Sequence, residues 1–191
     1  EFGGGVKVIG LANATTVPAS NPTGGLVVYS EGGVFKIRES GGAIRTMARI
    51  AMKTADESVL NSTTLQNDDH LFIALEANKR YLVRLLLNMV HDGAAPSINF
   101  GFSVPAGATM RWYHNNPATG TVDETTVWVH HTETGTEVFG LSTTVRGTYI
   151  VGFIKMGGTA GNLQLQWAQA TLDAVNNTIV KEGSWLEAVL A

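Results

Sequence analysis

Apolar and polar residues alternate with a period of two along much of the chain, which is the pattern of half-buried β-strands. Clear alternation occurs at residues 98–104, 110–114, 143–154 and 162–169. Glycine, proline, asparagine and aspartate interrupt these segments at short intervals, as turns between antiparallel strands require. The pattern therefore predicts an all-β fold, and within that class an antiparallel β-sandwich of jelly-roll type.

Residues 81–90 fit two structures. They form a nearly continuous apolar run that is broken only by Arg84 and Asn88. A strand buried on both faces has this composition, whereas the good helix formers Leu, Met and Arg favour a helix. The pattern alone leaves both alternatives open.

The chain divides into three segments. Residues 1–24 are rich in Gly, Thr, Asn and Pro and predict an extended arm or linker, with a floppy terminus as the alternative. Within them, residues 1–5 lack an initiator Met and have the composition of a vector-derived or cut end. Residues 25–48 predict a three-stranded β-meander that serves as an attachment or stalk, and residues 49–191 predict the sandwich domain.

The meander is too small to fold alone. Three β-rich segments lie between residues 26 and 47, and the glycine pairs 32–33 and 41–42 separate them. A sheet of this size has little core of its own. We therefore expect it to pack on the main domain or on copies of itself in an oligomer.

Composition excludes several classes of function. Hydrophobic residues make up 44% of the chain, which is enough for a packed core, and charged residues only 15%, against about 25% in an average domain. The net charge is −3 with scattered basic residues, so no nucleic-acid footprint is present. There is no cysteine for a disulfide or a thiolate metal site, and no apolar run long enough to cross a membrane.

The histidines are the first candidates for a metal site. His130 and His131 are adjacent, so on a strand they point to opposite faces and cannot share an ion. His131 and Glu133 can share a face, but two ligands without a third make a weak site. His114 is a further isolated candidate. The sequence thus predicts no metal site. A site formed by side chains of several copies around a symmetry axis is not visible in one sequence.

Catalytic patterns are missing from the sequence. Residues 68–70, Asp-Asp-His, predict a turn in which the acidic side chains cap backbone amides. Residues 157–161 are glycine-rich but lack the Lys-Ser/Thr pair of a phosphate-binding loop and predict a hairpin loop. Glu76, Glu124, Glu133 and Glu137 cannot be assigned to an acid–base pair without a cleft. We predict no catalytic residue, no cofactor and no enzymatic activity.

The aromatic residues offer the best candidates for ligand contact. Trp167 and Trp185 lie in apolar alternation and are expected in the core. Trp112, Tyr113 and Trp128 flank a polar loop, and we predict them as possible contacts to a receptor or a glycan. Burial in the core or in an oligomer interface is the favoured alternative for these three.

Several motifs resemble those of bacteriophage tail and fibre-like proteins. The lead PASNP at 18–22 and the hairpin GGLVVYSEGGVFKIRESGG at 24–42 resemble the N-terminal part of phage minor tail and fibre-like proteins. The segment DESVLNSTTLQNDD at 56–69 looks like the opening of a β-sandwich domain of phage structural proteins. The rest of that domain is matched by VPAGA at 104–108, GNLQLQWAQ at 161–169 and GSWL at 183–186.

This resemblance implies a non-enzymatic structural protein on the surface of the virion, of the tail-fibre or minor-tail type. It implies a homotrimer that attaches to other virion proteins through its N-terminal segment and contributes to host-surface adhesion, with a host glycan as a possible partner. A capsid decoration or head-fibre protein and a stand-alone carbohydrate-binding module are the alternatives. No catalytic residue, nucleic-acid partner or membrane partner is implied.

Overall fold

A computed structural model of the chain describes residues 10–32, 34–93, 97–115 and 128–191, and the regular elements within these ranges are all β-strands. In chain order the strands are β1 (Leu26–Glu31), β2 (Val34–Glu39), β3 (Ile44–Thr46), β4 (Arg49–Met52), β5 (Glu57–Val59), β6 (Gln66–Leu75), β7 (Arg80–His91), β8 (Ser97–Ser103), β9 (Thr109–Asn115), β10 (Trp128–Thr132), β11 (Thr136–Gly140), β12 (Arg146–Lys155), β13 (Gly161–Gln169), β14 (Thr178–Val180) and β15 (Trp185–Leu190). All strand pairs are antiparallel, so the predicted all-β antiparallel fold is confirmed. Within the described ranges, no helix has the length and apolarity to cross a membrane.

The chain forms two compact units, Glu1–Ala48 and Arg49–Ala191. In the first, β1, β2 and β3 form a meander in that order, as the glycine spacing predicts. Gly32 and Gly42 take positive φ values of 59° and 88° at its two corners, a region that suits glycine.

The described part of the arm is tied to the meander. The backbone N–H of Ala14 donates to the carbonyl of Ser30 at 2.7 Å, and the Ser30 hydroxyl donates to the Asn13 side chain at 2.9 Å. Arg38 donates to the side chain of Asn21 at 2.9 Å. These contacts hold residues 13–21 along the sheet.

The second unit consists of a larger and a smaller sheet. The larger sheet has the order β10-β9-β12-β7-β14-β5. Strand β15 also pairs with the edge of β7 beside β14, and β4 pairs with β15. The smaller sheet has the order β11-β8-β13-β6.

The core of the second unit collects buried side chains from both sheets. Strand β7 contributes Tyr81, Val83, Leu85, Leu87 and Met89 from one sheet, while β8 and β13 contribute apolar side chains from the other. This two-layer packing is sandwich-like, as predicted. The jelly-roll connectivity stays a prediction.

The ambiguous segment at 81–90 is strand β7. Its burial alternates at every residue, with Tyr81 and Leu85 buried and Leu82 and Arg84 exposed. The strand therefore presents one face to the core and one outward, and the expectation that both faces are buried is wrong. Pairing with β12 along ten residues overrides the helix propensity of Leu and Met.

The prediction of a hairpin loop at 157–161 is also wrong. This segment follows β12 of the larger sheet and leads into β13 of the smaller sheet, so it crosses between layers. Gly157 lies so close to Gly107 that a Cβ there would be 2.6 Å from the Gly107 carbonyl oxygen. Glycine at this crossing, which has no Cβ, allows the two backbones to pack closely.

Candidate functional site

Several large apolar side chains of the second unit are exposed on the outward side of the larger sheet. We call this surface the outer face; it consists of Ile50, Met52, Leu82, Arg84, Val151, Phe153, Trp185, Glu187 and Val189 on β4, β15, β7 and β12. Ile50 and Met52 are about 60% exposed, and Leu82 and Phe153 about 40–50%. Alternation produces this surface, because each of these strands turns its other side chains into the core.

The strand register aligns these residues in rows across the sheet. Phe153 lies opposite Leu82 on β7, and Val189 lies opposite Leu82 on the other side. A second row runs from Ile50 through Glu187 to Arg84. Cross-strand neighbours of this kind touch each other, so Val189, Leu82 and Phe153 form one apolar row, and the adjacent row places Ile50 beside the charged residues.

The charges at the centre of the outer face neutralise each other. Arg84 donates to the Glu187 carboxylate at 3.0 Å, and the two lie directly opposite on neighbouring strands. A surface ion pair of this kind contributes about 0–1 kcal/mol to stability. Because they are paired, neither Arg84 nor Glu187 leaves an unpaired charge on the outer face.

A shallow depression of about 510 Å³ lies beside Phe153, where β9 begins and β10 ends. Its lining combines apolar and charged groups: Thr109, Met110, Arg111, Thr132, Glu133, Phe153 and Lys155. The Glu133 carboxylate accepts the backbone N–H of Met110 at 3.3 Å, which fixes this side chain across the strand pair. The depression is shallow and open and resembles a contact surface more than a substrate cavity.

The three predicted aromatic contacts are in different environments. Trp112 is completely buried and donates its indole N–H to the carbonyl of Thr132 at 3.1 Å, so a surface role for it is wrong. Tyr113 points the other way, is 38% exposed and packs on His130 with ring centroids 5.1 Å apart. Trp128 pairs with Asn115 in the sheet, and the prediction for its side chain lies outside the described residues.

The two tryptophans expected in the core differ as well. Trp167 is fully buried, and its indole N–H donates to Asp68 at 3.2 Å. Trp185 is only half-buried, because it lies on the outer face, where its ring is 6.3 Å from that of Tyr149. The core prediction is confirmed for Trp167 alone.

His130 and His131 point to opposite sides of β10, as expected for strand neighbours. The sequence allows His131 to share a strand face with Glu133, but the fold gives His131 other neighbours. It stacks on Trp112 at 4.2 Å and approaches Glu137 and His114 inside the sandwich. Burial lowers the pKa of His131 below its usual value; the Glu137 carboxylate opposes this shift, and His114 adds to it.

The acidic segment at 68–70 is not the simple turn that the sequence predicts. It lies inside β6, at an irregularity in the pairing with β13. Asp68 is buried, and its carboxylate accepts the backbone N–H groups of His70 and Leu71 at 3.0 and 2.8 Å. The capping chemistry was predicted correctly, but its place is a break in a strand.

A buried lysine completes this acidic cluster. The Lys53 side chain is fully buried, and its ammonium donates to Asp68 at 2.8 Å and to Glu57 at 2.6 Å. Glu57, Asp68 and His70 have a geometry that could hold an ion. Because Lys53 already supplies the positive charge, we assign this cluster a structural role.

The sequence matches none of the protein-family models and none of the curated proteins with which it was compared.

Proposed function

We propose that this protein is a non-enzymatic structural protein on the surface of a bacteriophage particle, of the tail-fibre or minor-tail type, and that its copies associate as a homotrimer through the outer face. The observation that carries the assembly role is the exposure of four large apolar side chains on the outer face, Ile50, Met52, Leu82 and Phe153. Soluble monomers rarely leave large apolar patches in water, and a second copy of the chain would cover this face.

The charge arrangement supports burial of this face. Arg84 and Glu187 are paired within one chain, so covering them leaves neither charge alone. An unpaired charge at the same position would oppose association by several kcal/mol. The apolar residues on either side then supply the favourable free energy.

The assignment to a phage particle rests on the motifs at 18–42 and 56–186. In this proposal the arm and meander attach the protein to other virion proteins, and the sandwich faces outward. A capsid decoration or head-fibre protein would use the same surfaces on the same particle and is the alternative location.

The assembly is tested by the mass in solution, measured by light scattering after size exclusion. We expect about 61 kDa, three times the 20.3 kDa of one chain. Leu82→Lys, between Val189 and Phe153 on the outer face, should give monomers. Val138→Lys is the matched control, because Val138 is equally exposed but lies on β11 of the smaller sheet; it should leave the trimer intact. A wild-type monomer at high concentration would contradict self-association.

The location is tested on purified particles of the phage whose genome encodes the chain. Mass spectrometry should detect the protein in multiple copies, and antibodies against it should label the tail in electron micrographs. Labelling of the capsid would favour the decoration alternative. Absence from the particles would overturn the virion assignment.

The strand pair β9–β10 supports a second role, host-surface adhesion. Tyr113 is exposed and packs on His130 beside the open depression, an arrangement that suits stacking on a sugar ring. Tyr113→Ala should weaken binding to immobilised bacterial surface polysaccharides at least tenfold. Phe72→Ala, at an equally exposed aromatic residue on β6, should bind as wild type. Equal binding by both variants would exclude Tyr113 from adhesion.

A further inference from the structure

Three side chains from three strands converge at one end of the sandwich, between its two layers. His114 comes from β9 and His131 from β10 of the larger sheet, while Glu137 comes from β11 of the smaller sheet. The Glu137 Oε2 atom lies 3.1 Å from His131 Nε2 and 3.5 Å from His114 Nε2. One potential ligand atom from each of the three residues lies within 4.8 Å of the other two.

Three imidazole nitrogens of this cluster have no hydrogen-bond partner among the described residues. They are both ring nitrogens of His114 and Nε2 of His131, which are buried although their distances to Glu137 are short. The His114 side chain has no exposed surface at all. A buried polar atom without a partner costs about 1–3 kcal/mol, so unpartnered nitrogens on two imidazoles that face one carboxylate indicate a further group between them.

A second cluster, at the opposite edges of the two sheets, shows how buried acidic groups are neutralised within the chain. There the ammonium of Lys53 pairs with the carboxylates of Glu57 and Asp68. Among the described residues, the ion pairs of Glu137 are with His114 and His131 and with no lysine or arginine. A bound cation at the Glu137 cluster would supply the positive charge that Lys53 supplies in the other cluster.

The distances match the coordination shell of a small transition-metal ion. Zinc binds histidine nitrogen and carboxylate oxygen at about 2.0–2.2 Å in a tetrahedral shell, which sets neighbouring ligand atoms about 3.3 Å apart. The two measured nitrogen–oxygen distances, 3.1 and 3.5 Å, lie on either side of this value.

We propose that His114, His131 and Glu137 form a binding site for a divalent transition-metal ion, with zinc as the preferred ion. Two imidazoles and one carboxylate are ligands that zinc accepts, and a water molecule would complete the shell. Glu137 and His131 are partly exposed, which leaves a path for the ion. Phe139 packs edge-on against His114 at 5.0 Å and orients that ring.

The bound ion joins the two layers of the sandwich. Glu137 belongs to the smaller sheet and the histidines to the larger one, so coordination links β11 to β9 and β10. Gly135 permits the tight turn that brings β11 back over β10, since a Cβ there would lie 3.0 Å from the Cβ of His131. The site is thus a cross-link in a chain that has no disulfide.

Zinc titration of the full chain, stripped with a chelator, tests the site. Calorimetry should give one zinc ion per chain, and zinc at a hundredfold excess over its Kd should raise the Tm by about 5–11 °C. His131→Gln and Glu137→Gln should lose both effects. His130→Gln is the matched control, because His130 is the adjacent histidine on the opposite face; it should bind as wild type.

Wild-type protein without saturable binding, or equal loss in His130→Gln and His131→Gln, would overturn the proposal. Melting of each metal-free variant shows whether it folds. Cobalt bound to the wild-type chain gives a readout that does not depend on the variants. Intense visible d–d absorption, typical of tetrahedral cobalt with nitrogen and oxygen ligands, supports the site, and the weak absorption of an octahedral aquo ion contradicts it.

Discussion

Replacement of Lys53 by methionine removes the positive charge from a buried carboxylate cluster. Lys53 donates to Asp68 and Glu57, and the Asp68 carboxylate also accepts the indole N–H of Trp167 and two backbone N–H groups. Methionine preserves most of the side-chain volume but leaves Asp68 negative inside the protein. The loss is therefore mainly electrostatic and not a cavity.

The expected magnitude follows from the burial of both partners. Removing one member of a fully buried ion pair costs about 3–5 kcal/mol, because the remaining charge is desolvated without compensation. The side chains of Lys53 and Asp68 are both completely buried, so this range applies without discount for solvent. With about 2–4 °C per kcal/mol for a domain of this size, the Tm should fall by about 6–20 °C.

Chemical denaturation at neutral pH, with a thermal scan beside it, measures the effect. Lys181→Met is the control: Lys181 makes the same type of pair, with Asp56, but at the surface, where about 0–1 kcal/mol is expected. The double variant Lys53→Met/Asp68→Asn should recover part of the loss, because it removes the stranded charge. If Lys53→Met destabilises no more than Lys181→Met, the buried pair does not stabilise the sandwich as reasoned here.

Two further perturbations have defined outcomes. Gly157→Ala should destabilise the fold by about 1–3 kcal/mol in chemical denaturation, because the new Cβ would lie 2.6 Å from the Gly107 carbonyl oxygen. Gly158→Ala is the control and should be neutral, because a Cβ at Gly158 would meet open space. Equal stability of both variants would refute the packing argument. The Asn176 side-chain amide and nearby backbone N–H groups donate to the Asp173 carboxylate and lower its pKa. The Asp173 carboxylate therefore stabilises the fold at pH values above its pKa in the unfolded chain. This contribution is lost as the pH falls through the lower pKa of Asp173 in the folded state. Asp173→Asn should thus lose less stability than wild type between about pH 5 and pH 2. An unchanged acid profile in urea titrations would contradict this role.

The sequence predicted the strands with strong alternation and missed those set by tertiary contacts. Alternation identified β8, β9, β12 and β13, since each has one face on the core. It missed β4, β5 and β11, which have three to five residues and gain their hydrogen bonds from partners far away in the sequence. Such strands carry too few residues for a period to be visible.

The sites show the same limit more strongly. Sequence proximity suggests Glu133 as a companion of His131, whereas the fold brings His131 to His114 and Glu137 on other strands. Lys53 has no local signal, because it is a lone lysine after a short segment. The capping role of its partner Asp68 is predictable from the sequence, because that role depends only on the next three residues.

The pairing of β7 with β15 has a consequence for how the chain reaches its native state. Arg84 and Glu187, which meet across this pair, are separated by 103 residues in the sequence. During synthesis the central strand of the larger sheet thus leaves the ribosome long before its neighbour, and one edge of it stays open to other nascent chains. Contacts at such separation also slow folding, since a long loop must close before they form. Expression at low temperature and low synthesis rate should therefore raise the soluble yield of this protein more than it does for β-proteins built from local hairpins.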